Sequence, residues 1–146
     1  MRTKVLNEDG ERTFAVIFES GDEVLSGLTR FAEEQQLAAS RFTAIGAFSQ
    51  VVLGYFDWEK KDYERIPVNE QVEVLSMIGD VALEDAHPKV HAHVVLGLRD
   101  GSARGGHLLE ARVRPTLEVI LTESPSYLKR EFDRQSGLAL IKIKDG

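Results

Sequence analysis

The chain has 146 residues, 18 Lys and Arg against 24 Asp and Glu, and a net charge of −6, with no cysteine. That length suits one domain with a real core. The charge argues against a surface built to neutralise phosphates, and the lack of thiols excludes disulfides, thiolate nucleophiles and thiolate metal sites. No window approaches 18 uninterrupted apolar residues, and the opening ten lack the apolar run of a secretory signal, so a cytoplasmic protein without a membrane span is expected.

Residues 12–19 are rich in aromatic and β-branched side chains and predict a strand. Ser20-Gly-Asp-Glu23 matches a capping box, with the Ser20 hydroxyl and the Glu23 carboxylate exchanging bonds with each other's amides. The helix it introduces carries Val24, Leu25, Leu28, Phe31 and Ala32 on one stripe and is expected to end near Gln36. Residues 41–57 hold too much glycine and β-branching for a helix. They predict two strand pieces with a bend or bulge near Gly46 and Gly54. Trp58 to Asp62 predicts a polar turn, and Asp57 with Trp58 are candidates to line a pocket or fill the core.

Strands are expected again over 63–66 and 71–78, with Val72, Val74 and Ser76 on one face, while 80–86 fits neither pattern cleanly. Residues 91–98 predict a strand, 99–101 a turn, 103–109 the returning strand, and 110–122 a long strand after Pro115. Ser124-Pro125 reads as an N-cap followed by proline at the first helical position. The resulting second helix would carry Tyr127, Leu128 and Phe132 and stop at Gly137. Residues 138–144 alternate apolar and charged side chains, a half-buried closing strand. The whole, residues 1–146, is expected to be a single compact α+β domain. It has a mainly antiparallel sheet of about seven strands and two or more helices, because the connections are mostly too short for parallel crossovers.

All four histidines fall within about a hairpin's length of sequence. His91 and His93 share one face of a strand, since side chains two apart point the same way. A three-residue loop, Arg99-Asp100-Gly101, would set Leu98 opposite Ser102 and His93 opposite His107. Opposed Cβ atoms lie about 4.5–5.5 Å apart, close enough for three imidazoles to meet at one divalent ion, zinc above all. A two-residue turn would instead send His107 to the other face. The competing reading is three hydrogen-bonded histidines without metal. His87, beside Pro88, is a candidate fourth ligand or pocket residue. Gly105 and Gly106 would admit a ligand close to the backbone or form a bulge. Glu84, Asp85 and Glu110 are candidate ligands, orienting groups or general bases. A site with an open fourth position allows a metal-dependent hydrolase or lyase, for which no catalytic residue is identified.

Pro88-x-x-His91-x-His93-x-x-Leu96-Gly97 followed by Gly105-Gly106-His107-Leu108 resembles the signature of the plants-and-prokaryotes conserved, or PPC, domain. Ala111-x-Val113-x-Pro115-Thr116-x-Glu118-Val119, Gly21-Asp22-Glu23, Gly46-Ala47 and Ser76-x-x-Gly79 are similar too, so the likeness spans nearly the whole chain. The resemblance implies an α+β domain that assembles as a homotrimer, with a metal site, zinc by expectation, at His91, His93 and His107. The biological role is left unassigned, with ligand binding or regulation through protein partners as the expectation. Plant members carry an AT-hook that enters the DNA minor groove, and many prokaryotic relatives are called DNA-binding by association. Here no AT-hook is present. The nearest string, Arg112-Val-Arg-Pro115, has valine where glycine is needed, so the stand-alone prokaryotic type is expected and DNA binding through its own surface is not.

Overall fold

The structure is a computed structural model that describes residues 1–7, 10–125 and 127–143. In chain order its elements are β1 (Arg2–Asn7), β2 (Arg12–Glu19), α1 (Val24–Glu34), β3 (Ala39–Asp57) and β4 (Asp62–Val68). They continue with β5 (Val72–Glu84), β6 (His87–Gly97), β7 (Ala103–Glu123), β8 (Lys129–Asp133) and β9 (Leu138–Lys142). Strands β3, β5 and β6 pair antiparallel in series, β6 pairs with β7, and β7 returns to β3. These four strands therefore form a closed circuit. On its rim, β2 pairs with β7, β1 with β2, and β4 with β3.

Alternation assigns the faces. Val16, Val119, Ala44, Met77 and Val94 follow one another across paired strands, and all are buried. The adjacent row, Ile120, Thr43, Ile78, His93 and His107, points outward by the two-residue period of a strand. Helix α1 adds Val24, Leu28, Phe31 and Ala32 to the same core and packs against β6 and β7. Phe31 meets Phe14 of β2 edge to face with ring centroids 5.3 Å apart.

The first strand expected, 12–19, forms over those residues. The helix cap differs in detail. Glu23, not Ser20, is the N-cap, and its carboxylate accepts from the Ser26 amide at 2.7 Å. Ser20 instead donates to the Pro115 carbonyl of β7, so a tertiary bond draws it away from the helix. Residues 39–57 form one strand of 19 residues rather than two pieces. The irregularity falls between Ala44 and Gly46, where a Cβ on Gly46 would lie 2.3 Å from the Thr116 carbonyl oxygen. In β5 the extra residue is Leu75. It shifts the alternation, so Met77 takes the core position and Ser76 faces outward, against the expected Val72–Val74–Ser76 face.

The second helix does not form. Residues 129–133 make a strand that pairs with β9, and Gly137 sits in the turn between them at φ 79°. Asp133 accepts from the Ser136 amide and hydroxyl, which closes this turn. The Leu83 amide donates to the Leu128 carbonyl at 2.8 Å, anchoring the hairpin to β5. These pairings outweigh the local Ser-Pro cap signal, so among the described residues there are nine strands and one helix. The expected closing strand 138–144 appears as β9, with Lys144 outside the described residues.

A methyl group on Gly79 would meet the Phe42 ring at 2.2 Å and the His91 carbonyl oxygen at 2.4 Å. Neither can move without opening the core or the β5–β6 ladder. Gly79→Ala is therefore expected to lower the unfolding free energy by about 1–3 kcal/mol, read as a shift of the urea midpoint at unchanged slope.

Candidate metal centre

The three histidines are brought together by one register. Gly101 at φ 82° closes the loop after β6, its amide donates to the Leu98 carbonyl, and the Leu98 amide donates to the Ser102 carbonyl. His93 consequently stands opposite His107, and His91 lies on the same face, two residues along β6. The reach of His107 toward its partners is helped by bare backbone nearby. Gly106 and Gly105 pair regularly with Val94 and Val95, so no bulge forms there against β6. The bulge lies at Leu109 against β3, and a Cβ on Gly106 would come within 2.9 Å of the Gly54 carbonyl oxygen.

One ligand atom from each of His91, His93 and His107 falls within 4.8 Å of the other two. The Nε2 atoms of His91 and His93 are 3.1 Å apart. Tetrahedral ligation at about 2.0–2.1 Å places ligand nitrogens about 3.3 Å apart, so this pair already stands at ligating distance. Ring centroids of the three are separated by 4.9, 5.1 and 5.4 Å. His107 Nδ1 is buried with no hydrogen-bond partner among the described residues. A buried polar atom normally has a partner, and an orphaned imidazole nitrogen in a cluster of three is a donor set that suits a cation. Burial first, and then the His91 and His93 charges, lower the His107 pKa to about 4. Burial, and then the His91 charge, lower that of His93. Both rings are thus neutral near pH 7, the form in which imidazole binds metal.

Three residues that sequence reasoning did not single out complete the surroundings. Asp80 of β5 stands opposite His91, with Oδ2 3.7 Å from Nδ1. Burial alone would raise the Asp80 carboxyl, but His91 and the Arg130 guanidinium outweigh it and hold it below the usual carboxylate range. Arg130 comes from β8, pairs with Asp80 through Nη2 and donates from Nη1 to the Ala139 carbonyl at 3.3 Å. A carboxylate behind a ligating histidine sets its tautomer and orientation. Tyr63 of β4 stacks on His107, centroids 4.4 Å apart and planes 21° from parallel. Gly54 permits that stack, since a Cβ there would sit 2.8 Å from the Tyr63 ring. The only sequence signal for Asp80 was its cross-strand alignment with His91, which required the β5–β6 turn to be located first.

The remaining candidates lie apart from the cluster. His87 is exposed at the start of β6, four residues from His91, about 13 Å along a strand. Asp85 and Ala86 form the β5–β6 turn with φ of 49° and 66°, the positive pair that type I′ hairpins require. Glu84 pairs with Lys89 at 3.8 Å and, together with His91 and His107, borders a cavity of about 460 Å³ beneath the β8–β9 hairpin. Glu110 forms an ion pair with Arg65 and lines a separate cleft with Glu23 and Arg112. Asp57 caps the β3–β4 turn by accepting from the Glu59 and Lys60 amides, and Trp58 is an exposed residue of that turn.

A closed antiparallel circuit with one helix among the described residues and an outward cluster of three imidazoles defines the class. The model of the Plants and Prokaryotes Conserved (PCC) domain matches residues 6–125, and the chain belongs to that family. It is 35 % identical to a plant- and prokaryote-conserved protein of Pyrococcus horikoshii, covering 92 % of this chain and 93 % of that one, with a TM-score of 0.85. It is also 35 % identical to a metal-containing protein of Archaeoglobus fulgidus, with 97 % of each chain covered and a TM-score of 0.83. A Ralstonia eutropha JMP134 protein, named as a supposed DNA-binding protein, shares 26 % identity over 90 % of this chain and 91 % of its own, with a TM-score of 0.84. No curated protein matches the chain.

The depressed His107 pKa makes stability depend on pH. Between its ordinary value near 6.5 and about 4, the unfolded chain binds a proton that the folded chain refuses. Stability of the metal-free protein is therefore expected to fall as pH drops from about 6.5 toward 4. His107→Gln should flatten that slope, as read from urea midpoints taken with chelator present.

Proposed function

We propose that this chain is a cytoplasmic metal-binding protein of the family, holding zinc at His91, His93 and His107 and working as a homotrimer. Its role on this reading is to bind a small ligand or to regulate protein partners. The observation that carries the metal is the convergence of three imidazole ligand atoms within 4.8 Å. A relative at 35 % identity is described as metal-containing, which supports the same reading. Three nitrogen ligands leave a fourth position of zinc open, where bound zinc would lower the pKa of a water to about 7.

The trimer is supported by the outer face of the circuit. Ile45, Leu75, Ile78, Val95 and Ile120 are exposed there, on four adjoining strands, with His93 among them. An apolar patch of that kind on a chain of net charge −6 supports burial against other copies rather than use as a surface for nucleic acid. No helix of the described residues is long and apolar enough to cross a membrane. The bordering carboxylate Glu84 favours a second reading, a metal-dependent hydrolase or lyase. A DNA-associated regulator is the third, drawn from the naming of relatives such as the Ralstonia protein.

Elemental analysis combined with native mass measurement, on protein purified without a polyhistidine tag, is expected to find about one zinc per chain in an assembly of three. Asp80→Asn should weaken zinc about 10–100-fold. His91→Ala with His93→Ala should abolish it, and a metal-free assembly that takes up no added zinc would reduce the three histidines to structural residues. For the third reading, an AT-rich duplex titrated across a salt series is expected to show no binding even at low salt, where electrostatic attraction is strongest.

A further inference from the structure

The cavity beside the histidines has two unlike ends. One holds His91, His107, the cations Lys89 and Arg130 and the carboxylate of Glu84; the other is made by Val90, Phe132, Leu138 and Leu140. Its volume of about 460 Å³ lies in the range that accommodates small organic molecules. Phe132 is 71 % exposed and Leu140 38 % exposed, so the apolar end is open to water. Large apolar side chains facing solvent at the mouth of a cavity are the mark of a binding surface.

The polar end narrows the choice of ligand. Arg130 is held through its two terminal nitrogens, by Asp80 and by the Ala139 carbonyl; its side chain is 8 % exposed, and its buried Nε has no partner among the described residues. Lys89 is held only loosely, 3.8 Å from Glu84, and its side chain is 64 % exposed, so its ammonium can turn toward a ligand. A divalent ion held by the cluster of three imidazoles would add positive charge with one position open. That end suits a single carboxylate. A phosphate group wants several donors at once, such as a helix N-terminus or an arginine fork, and the lining offers neither.

We propose that this cavity binds a small aliphatic monocarboxylate of about six to eight carbons. Its carboxylate faces the histidine cluster and Lys89, and its chain lies against Phe132, Leu138 and Leu140. This rests on the metal reading above, because the bound ion supplies most of the attraction at the polar end.

The test is calorimetric titration of the zinc-loaded protein with hexanoate, acetate and hexanamide, with zinc content determined on the same samples. Phe132→Ser and Lys89→Gln serve as variants, and both wild-type side chains are more than half exposed, so the fold tolerates their loss. Hexanoate is expected to bind at least about tenfold more tightly than acetate, since each buried methylene strengthens binding about fourfold. Hexanamide should give no measurable binding. Phe132→Ser should weaken hexanoate about five- to tenfold and leave acetate unchanged, while Lys89→Gln should weaken both. Zinc-loaded protein that binds hexanoate and acetate equally, or neither, overturns the proposal and leaves the metal reading standing. Protein that takes up no zinc overturns both.

Discussion

The structure turns on the pairing of β6 between β5 and β7. That strand closes the circuit of four, and its register sets His93 opposite His107 and Ile78. A slip of one residue would turn Val94 and Leu96 out of the core and the histidines into it. The burial of those apolar side chains and the convergence of the imidazoles are thus one constraint. The core specifies the site, and the site requires no strain of its own.

Around the cluster, charge and burial work in opposite senses on the two sides. His107 lies under the Tyr63 ring, poorly solvated and neutral, with one nitrogen orphaned. His91 faces Asp80, which is itself held ionised by Arg130. The C-terminal hairpin is therefore tied through one ion pair to the group behind a histidine of the cluster. The same hairpin supplies the apolar wall of the neighbouring cavity. The hairpin thus bears on the histidines through the Arg130–Asp80 pair as well as by covering them.

The cluster stands between two apolar surfaces of different character. On one side is the broad outer face with Ile45, Ile78 and Ile120, spread over several strands. On the other is the concave wall of Phe132 and Leu140. Broad exposed apolar area is suited to another protein surface and concave apolar area to a small molecule. His93 borders the first, while His91 and His107 border the second.

Much of this was legible in the chain itself. The alternation of His91, Ala92, His93, Val94 and Val95 determined the strand and its faces, and the Arg99-Asp-Gly turn allowed the histidine register that the β6–β7 pairing then settled, because period and turn chemistry are local. The motif order from Gly21 to Val119 determined the family. The tertiary structure alone decided the rest. Residues 124–137 carry a helix-like start and stop, yet bonds from Leu128 to Ala38 and Leu83 and the Arg130–Asp80 pair hold Lys129–Asp133 as a strand of the hairpin. Ser20 lost its capping role to a carbonyl 95 residues away. Asp80, Arg130 and Tyr63 were invisible as site residues because each reaches the histidines across strands, and cross-strand partners depend on registers and bulges that no local pattern encodes.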